Sequence, residues 1–209
     1  MCLIALAYKS HPTYPLIVAA NRDEFHDRLA LPAHFWSEHP HMLAGKDVKA
    51  GGTWMGITRH GRFAALTNHR DLRRAPVQGP SRGLLVKDAL AADVQISPTP
   101  MEGYNLILGH IDALRYQSNI TGADEAIPAG VHGLSNALLN TPWPKAERAV
   151  EAMRLAIRSS VPDSALLFDM LAETEQASEG TLPDTGLDQH RERALSSIRI
   201  DMPGYGTRC

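Results

Sequence analysis

Cys2, directly after the initial methionine, is the first residue of this sequence with chemistry to offer. Initiator methionine is commonly removed before a small residue, and its loss would make Cys2 N-terminal. The α-amine would then titrate at ~7.7–8.0, close to the ~8.5 of a free thiol. Proton transfer between two such groups is cheap, so one residue could act as nucleophile and general base together. The structural alternative is a small apolar residue on an inward-facing strand, since free cysteine is among the most buried residue types.

The stretch "LIVAANRDEFHDR" raises a second possibility. Leu16 to Ala20 reads as a strand entering an apolar core, and Asn21, Arg22, Asp23 and Glu24 follow at once. Burying such groups costs several kcal/mol unless they pair with one another or act on something else. Strand alternation sets Arg22 and Asp23 on opposite faces. An aspartate there could hold an α-ammonium, and an arginine could stabilise a thiolate. An Arg–carboxylate pair that merely closes the strand end remains the alternative. Asn68, after "AALT", and Asn136, after "GLS", each end a short apolar or small-residue stretch. Amides so placed could donate to an oxyanion, or simply form turns. His39-Pro40-His41 lacks a helical frame or nearby cysteines, so no metal site is expected. No phosphate loop, dinucleotide fingerprint or GxSxG elbow appears.

The elements that must carry these residues are legible in outline. Leu3 to Tyr8 and Leu16 to Ala20 predict a buried hairpin, and residues 25 to 50 read as irregular. Gly51 to Thr58 and Arg62 to Thr67 predict a second hairpin about Arg59-His60-Gly61. Ser81 is placed to cap a helix with Leu85, Ala89 and Ala92 on one face. Asn105 to Gly109, Leu114 to Asn119 and Val131 to Ser135 predict further strands. After Trp143-Pro144, an apolar stripe of Trp143, Ala146, Val150, Met153 and Ile157 predicts a helix. Another follows Pro162, with Leu167 and Leu171 one turn apart. Residues 174 to 190 read as a polar loop, and Ala194 to Ile200 as a last strand. Strands, then helices, then strands make an α+β pattern rather than a βαβ alternation.

Composition narrows the classes. A chain of 209 residues with 44% hydrophobic content can bury one sizeable core, and residues 1–209 read as a single domain. Its 21 basic and 23 acidic residues form no block of like charge, which argues against a nucleic-acid surface. Apolar runs are far shorter than the ~20 residues of a membrane span, and the start lacks the plan of a signal peptide. Two cysteines at opposite ends, Cys2 and Cys209, make no disulfide framework, so a cytoplasmic location is expected.

Met-Cys at the start, "AANRDE", "GGTWMGI", "AALTN", "GLSNALLNTPWPK" and "PGYGTR" together resemble the NRDE family, also called the transport-and-Golgi-organisation protein 2 family. These motifs run from residue 2 to residue 208, nearly the whole chain. The resemblance implies a four-layer αββα sandwich of the N-terminal-nucleophile (Ntn) hydrolase type, with two antiparallel sheets. A more distant similarity is to the choloylglycine hydrolase and penicillin V acylase group, which cleaves linear amides. Its site pattern carries over to Cys2, Arg22, Asp23, Asn68, Asn136 and Arg208. Relatives continue past "GYGTR" with apolar strands, so the chain is expected to be truncated at its C-terminus. The function implied is hydrolysis of a linear amide through a Cys2 thioester, with no cofactor. The partner would be a small-molecule amide or acyl metabolite. The alternative is a non-catalytic binding or trafficking protein for haem or an acyl metabolite, in which His34, His39, His41 or His69 would matter more than Cys2.

Overall fold

Seven consecutive buried residues, Cys2 to Tyr8, form the first strand, and much of the fold is built around it. The computed structural model describes residues 2–91 and 100–209. Within these, β1 (Cys2–Tyr8), β2 (Leu16–Phe25), β3 (Ala30–Phe35), β4 (Met42–Asp47), β5 (Met55–Thr58) and β6 (Arg62–Asn68) lead to helix α1 (Gly83–Ala91). Then come β7 (Tyr104–His110), β8 (Ala113–Ser118), β9 (Ala123–Ala126) and β10 (Gly130–Leu134). Helices α2 (Pro144–Ala156), α3 (Ser164–Leu171) and α4 (Gln189–Ala194) follow, and the short strands β11 (Asp201–Met202) and β12 (Tyr205–Thr207) close the chain. The strands make two antiparallel sheets, as the α+β expectation requires.

The chain divides into two compact units. The first comprises Met1–His26, Arg70–Ala75 and Pro128–Cys209, and holds the five-stranded sheet β10-β1-β2-β12-β11. Leu3, Ala5, Ala7 and Ala19 face α2 and α3 and pack with Ala146, Ala149, Met153, Leu167, Met170 and Ile198. The predicted stripe on α2 is rotated slightly: Ala149 and Ala156 are buried where Val150 and Ile157 were expected, while Ala146 and Met153 are as expected. Small residues let the helix lie close to the sheet. Gly133 on β10 makes that approach possible, because a Cβ there would sit 2.8 Å from Val150 and 3.2 Å from the Ala146 carbonyl.

The second unit, Asp27–His69 and Pro76–Ile127, holds the seven-stranded sheet β3-β4-β5-β6-β7-β8-β9. Its core joins Ala44, Ala64, Leu66 and Leu106 of the sheet to Val86, Ala89 and Leu90 of α1. The β5–β6 hairpin turns at Gly61, whose φ of +76° suits glycine.

Residues 25 to 50 are not irregular: they contain β3 and β4. Five of the six β3 side chains are exposed and the strand carries a bulge before His34, so it shows no alternation to read. Strand β9 escaped notice for the same reason, three of its four residues being exposed. Ala194 to Ile200 is not a strand. Leu195, Ile198 and Ile200 are buried, but the segment is a sequence of turns. Side chains satisfy its backbone: Asn21 donates to the Ile198 carbonyl and Ser197 to that of Arg199. Ala92 of the predicted α1 face, and Met1, lie outside the described residues.

Candidate active site

The polar end of β2 is buried, and each of its groups has work in the first unit. Asn21 is 4% exposed and donates to the carbonyls of Leu171, at 2.8 Å, and Ile198, at 3.1 Å. It therefore pins the end of α3 and the turn segment to the sheet. Arg22 lies opposite Cys2 across the β1–β2 ladder, and its guanidinium meets Glu24 at 3.5 Å. Asp23, 2% exposed, accepts from Thr207 Oγ1 at 2.6 Å, and its backbone carbonyl accepts from the Tyr205 hydroxyl at 3.1 Å.

Strand β12 holds these partners in place by pairing with β2, Thr207 opposite Asp23. Just beyond it, the Arg208 N–H donates to the Arg22 carbonyl at 2.8 Å, while the Arg208 side chain is exposed. On the other flank of β1, Ile4 lies opposite Leu134. Asn136, fully buried, follows two residues beyond the end of β10, and the Ser135 hydroxyl between them reaches the Cys2 carbonyl at 3.5 Å. Cys2, Arg22, Asp23, Asn136 and the Arg208 backbone thus gather in one unit. Asn68 closes β6 in the second unit, opposite Tyr104. His34, His39, His41 and His69 also belong to the second unit, where His34 Nδ1 bonds the Pro32 carbonyl at 2.8 Å.

Electrostatics differ from what the residue types suggest. Arg22 lowers the Cys2 thiol pKa, but burial outweighs it and pushes the thiol up to about 11. Burial also raises Asp23, against the pull of Lys145 and the Thr207 hydrogen bond. Burial and the neighbouring Asp23 charge drive the Tyr205 hydroxyl far above its ordinary range, so it serves as a neutral donor.

Three residues of this cluster were not singled out from sequence. Lys145, 2% exposed, donates to the Leu195 carbonyl at 3.0 Å. Thr207 holds the Asp23 carboxylate, and Tyr205 its backbone. Each stands inside a motif quoted above, "TPWPK" or "PGYGTR", but nothing in the residue types marks a lysine or threonine as buried. Behind them Arg70 forms an ion pair with Glu192 at 2.7 Å, and its guanidinium stacks on Trp143 at 4.9 Å.

The sequence model of the family described as Transport and Golgi organisation 2 matches residues 1–209. The human Transport and Golgi organization protein 2 homolog is 34% identical over 238 residues, covering 100% of this chain and 86% of the human protein. This chain belongs to the Transport and Golgi organisation 2 family. The mouse homolog is 32% identical and likewise spans 100% of this chain, with 84% of its own length covered. Among solved structures, the Caenorhabditis elegans ortholog of N-acylethanolamine-hydrolyzing acid amidase superposes with a TM-score of 0.51. That match covers 82% of this chain and 86% of the amidase at 10% identity. The likeness is one of fold: this member of the Transport and Golgi organisation 2 family has the Ntn-hydrolase-like α+β architecture. No helix among its described residues is long and apolar enough to cross a membrane.

Proposed function

We propose that this protein is an Ntn-type amidohydrolase that cleaves a linear carbon–nitrogen bond through Cys2. The observation that carries the reading is the buried meeting of Cys2 with Arg22 and Asp23 at one end of the five-stranded sheet, with Asn136 buried in the same unit. The likeness to a solved amidase fold is consistent with it.

In this mechanism Met1 is removed and the Cys2 amine becomes free. Burial raises the Cys2 thiol, so attack requires a base that takes its proton. The α-amine is that base. Cys2 Sγ bonds to the amide carbonyl carbon, and charge moves to the carbonyl oxygen. The side-chain amide of Asn136 donates to that oxyanion. Asp23 orients the amine, while Arg22 balances charge with support from Arg208. The amine passes its proton to the leaving nitrogen, the C–N bond breaks, and an amine departs. Water, deprotonated by the same α-amine, then attacks the thioester, and the carboxylic acid leaves with the thiol restored.

The test begins with the intact mass of purified protein, which should lack one methionine. Wild type and Cys2→Ser are then compared on a panel of N-acyl amides, with released amine as the readout. Cys2→Ser should reduce turnover to background, because a hydroxyl is a far weaker nucleophile than a thiol. Retained Met1 with no amine released would sink the hydrolase reading. Tight haem binding unaffected by Cys2→Ser, again with no turnover, would replace it with a carrier.

A further inference from the structure

Asn136 stands at the head of a loop, residues 136–143, that joins β10 to α2 without helix or strand of its own. A group meant to meet a transition state from such a loop has to be held by its surroundings. One residue holds this loop at both ends. At its head the Arg70 N–H donates to the Asn136 carbonyl at 2.8 Å. At its foot the Arg70 guanidinium lies over the Trp143 ring, 4.9 Å from the centroid, and Trp143 is the residue from which α2 starts. The middle is tied to β10 instead. There the Asn140 N–H donates to the Gly133 carbonyl at 2.8 Å, and Asn140 Oδ1 accepts from the Gly133 N–H at 3.2 Å.

Arg70 is itself anchored through its side chain and through the chain that follows it. Its guanidinium pairs with Glu192 of α4 at 2.7 Å, and both side chains are buried. The other Glu192 oxygen accepts from the Thr185 N–H at 2.9 Å and from the Thr185 hydroxyl. The Leu72 N–H donates to the Thr185 carbonyl at 2.8 Å, and Arg73 meets Asp184 at 3.1 Å. Arginine suits this place better than lysine would. A planar guanidinium can offer its edge to a carboxylate and its face to an indole at once, which a point-like ammonium cannot.

We propose that Arg70 is a positioning residue for Asn136. Its ion pair with Glu192 and its contact with Trp143 fix both ends of the loop, and so fix where the Asn136 amide is presented. It acts through Asn136 and needs no contact with substrate. The catalytic purpose rests on the amidohydrolase reading; the hold on the loop does not. A buried ion pair is a weak device for stability, and here its use is to set direction. An oxyanion donor works only if it is in place before charge develops, so a loosened loop lowers kcat and leaves KM nearly alone.

Hydrogen exchange tests the hold without any substrate, because the Asn140, Thr141 and Trp143 N–H groups all donate within or beside the loop. In Arg70→Met, protection of these amides should fall by roughly tenfold or more while β1 and β2 keep theirs. Glu192→Gln should loosen the same amides, and Arg70→Lys should lie between Arg70→Met and wild type. Should Arg70→Met fail to fold with Glu192 left unpaired, Arg70→Met/Glu192→Gln removes both charges together and serves the same comparison. An unchanged loop in a folded variant overturns the proposal, and so does a loss of protection shared equally by every strand. Where an amide is turned over, Arg70→Met should lower kcat by about tenfold with little change in KM, and the same substitution should have almost no effect once Asn136 is alanine. Losses that simply add overturn the positioning role. A loosened loop in a protein that hydrolyses nothing supports the hold and counts against the function.

Discussion

The two units bury polar groups in different ways. Among the described residues of the seven-stranded unit, the buried polar ones are neutral: Thr53, Thr58, Thr67, Asn105 and Ser118. Their hydrogen bonds are local and complete a sheet, as where Tyr116 donates to Asn105 at 2.7 Å and Asn105 to Thr67 at 3.2 Å. Its ion pairs, such as Arg28 with Asp47 and Arg115 with Asp124, retain solvent exposure. The five-stranded unit instead buries charged residues, Asp23, Lys145 and Glu192 at 2–3% exposure and Arg22 at 9%. Neutral buried groups with local partners stabilise a fold at modest cost. Buried charges are costly even when paired, so a unit that accumulates them is where a reason other than stability should be sought.

The largest effect that would sharpen this contrast is catalytic. Asn136→Ala should lower kcat for a turned-over amide by ~10²–10³ while leaving melting little changed. Normal kcat in a variant destabilised by several kcal/mol would make Asn136 a turn residue and weaken the contrast. Next comes Asn105→Ala in the other unit. It removes the acceptor of the Tyr116 hydroxyl and should lower unfolding free energy by ~1–3 kcal/mol in a urea titration. Cys2 alkylation kinetics should be unchanged. A variant that alters Cys2 reactivity as strongly as stability would break the division of labour proposed for the two units.

The smallest effect is a pH dependence with two opposed contributions. Lys145 titrates at about 8 when folded against 10.5 ordinarily, so between these values the unfolded chain holds the extra proton and stability rises with pH. Cys2 acts in the opposite sense. Its thiol goes from 9.0 to about 11, the folded chain keeps that proton longer, and stability falls over this window. The net gain is confined to about pH 8–9, where one unit is worth ~1 kcal/mol; the two slopes then offset, and above about pH 10 the raised Tyr205 hydroxyl makes stability fall. Urea unfolding across pH 7–11 should show that rise in wild type. Lys145→Met should remove it, and Cys2→Ser should extend it to higher pH. A flat wild-type curve would mean that Lys145 is not held charged and buried as the structure indicates.

Much of the fold was legible because β1, β2 and β6 contain short continuous apolar runs bounded by turn residues and α2 carries a helical stripe. β3 and β9 do not, because edge strands with exposed side chains carry no such signal. The apolar run Ala194 to Ile200 misled for the opposite reason: burial makes a turn segment as hydrophobic as a strand.

Residue type and position nominated Cys2, Arg22, Asp23 and Asn136 beside structural alternatives, and the family resemblance grouped them with Asn68 and Arg208 as one candidate site. Tertiary structure decided how those groups are charged. A thiol beside an arginine reads as activated, yet burial raises it to about 11. A lysine at a helix start reads as solvent-facing, yet Lys145 is buried and donates to the Leu195 carbonyl. Desolvation depends on what surrounds a group from every direction, and a linear chain records only the neighbours on either side.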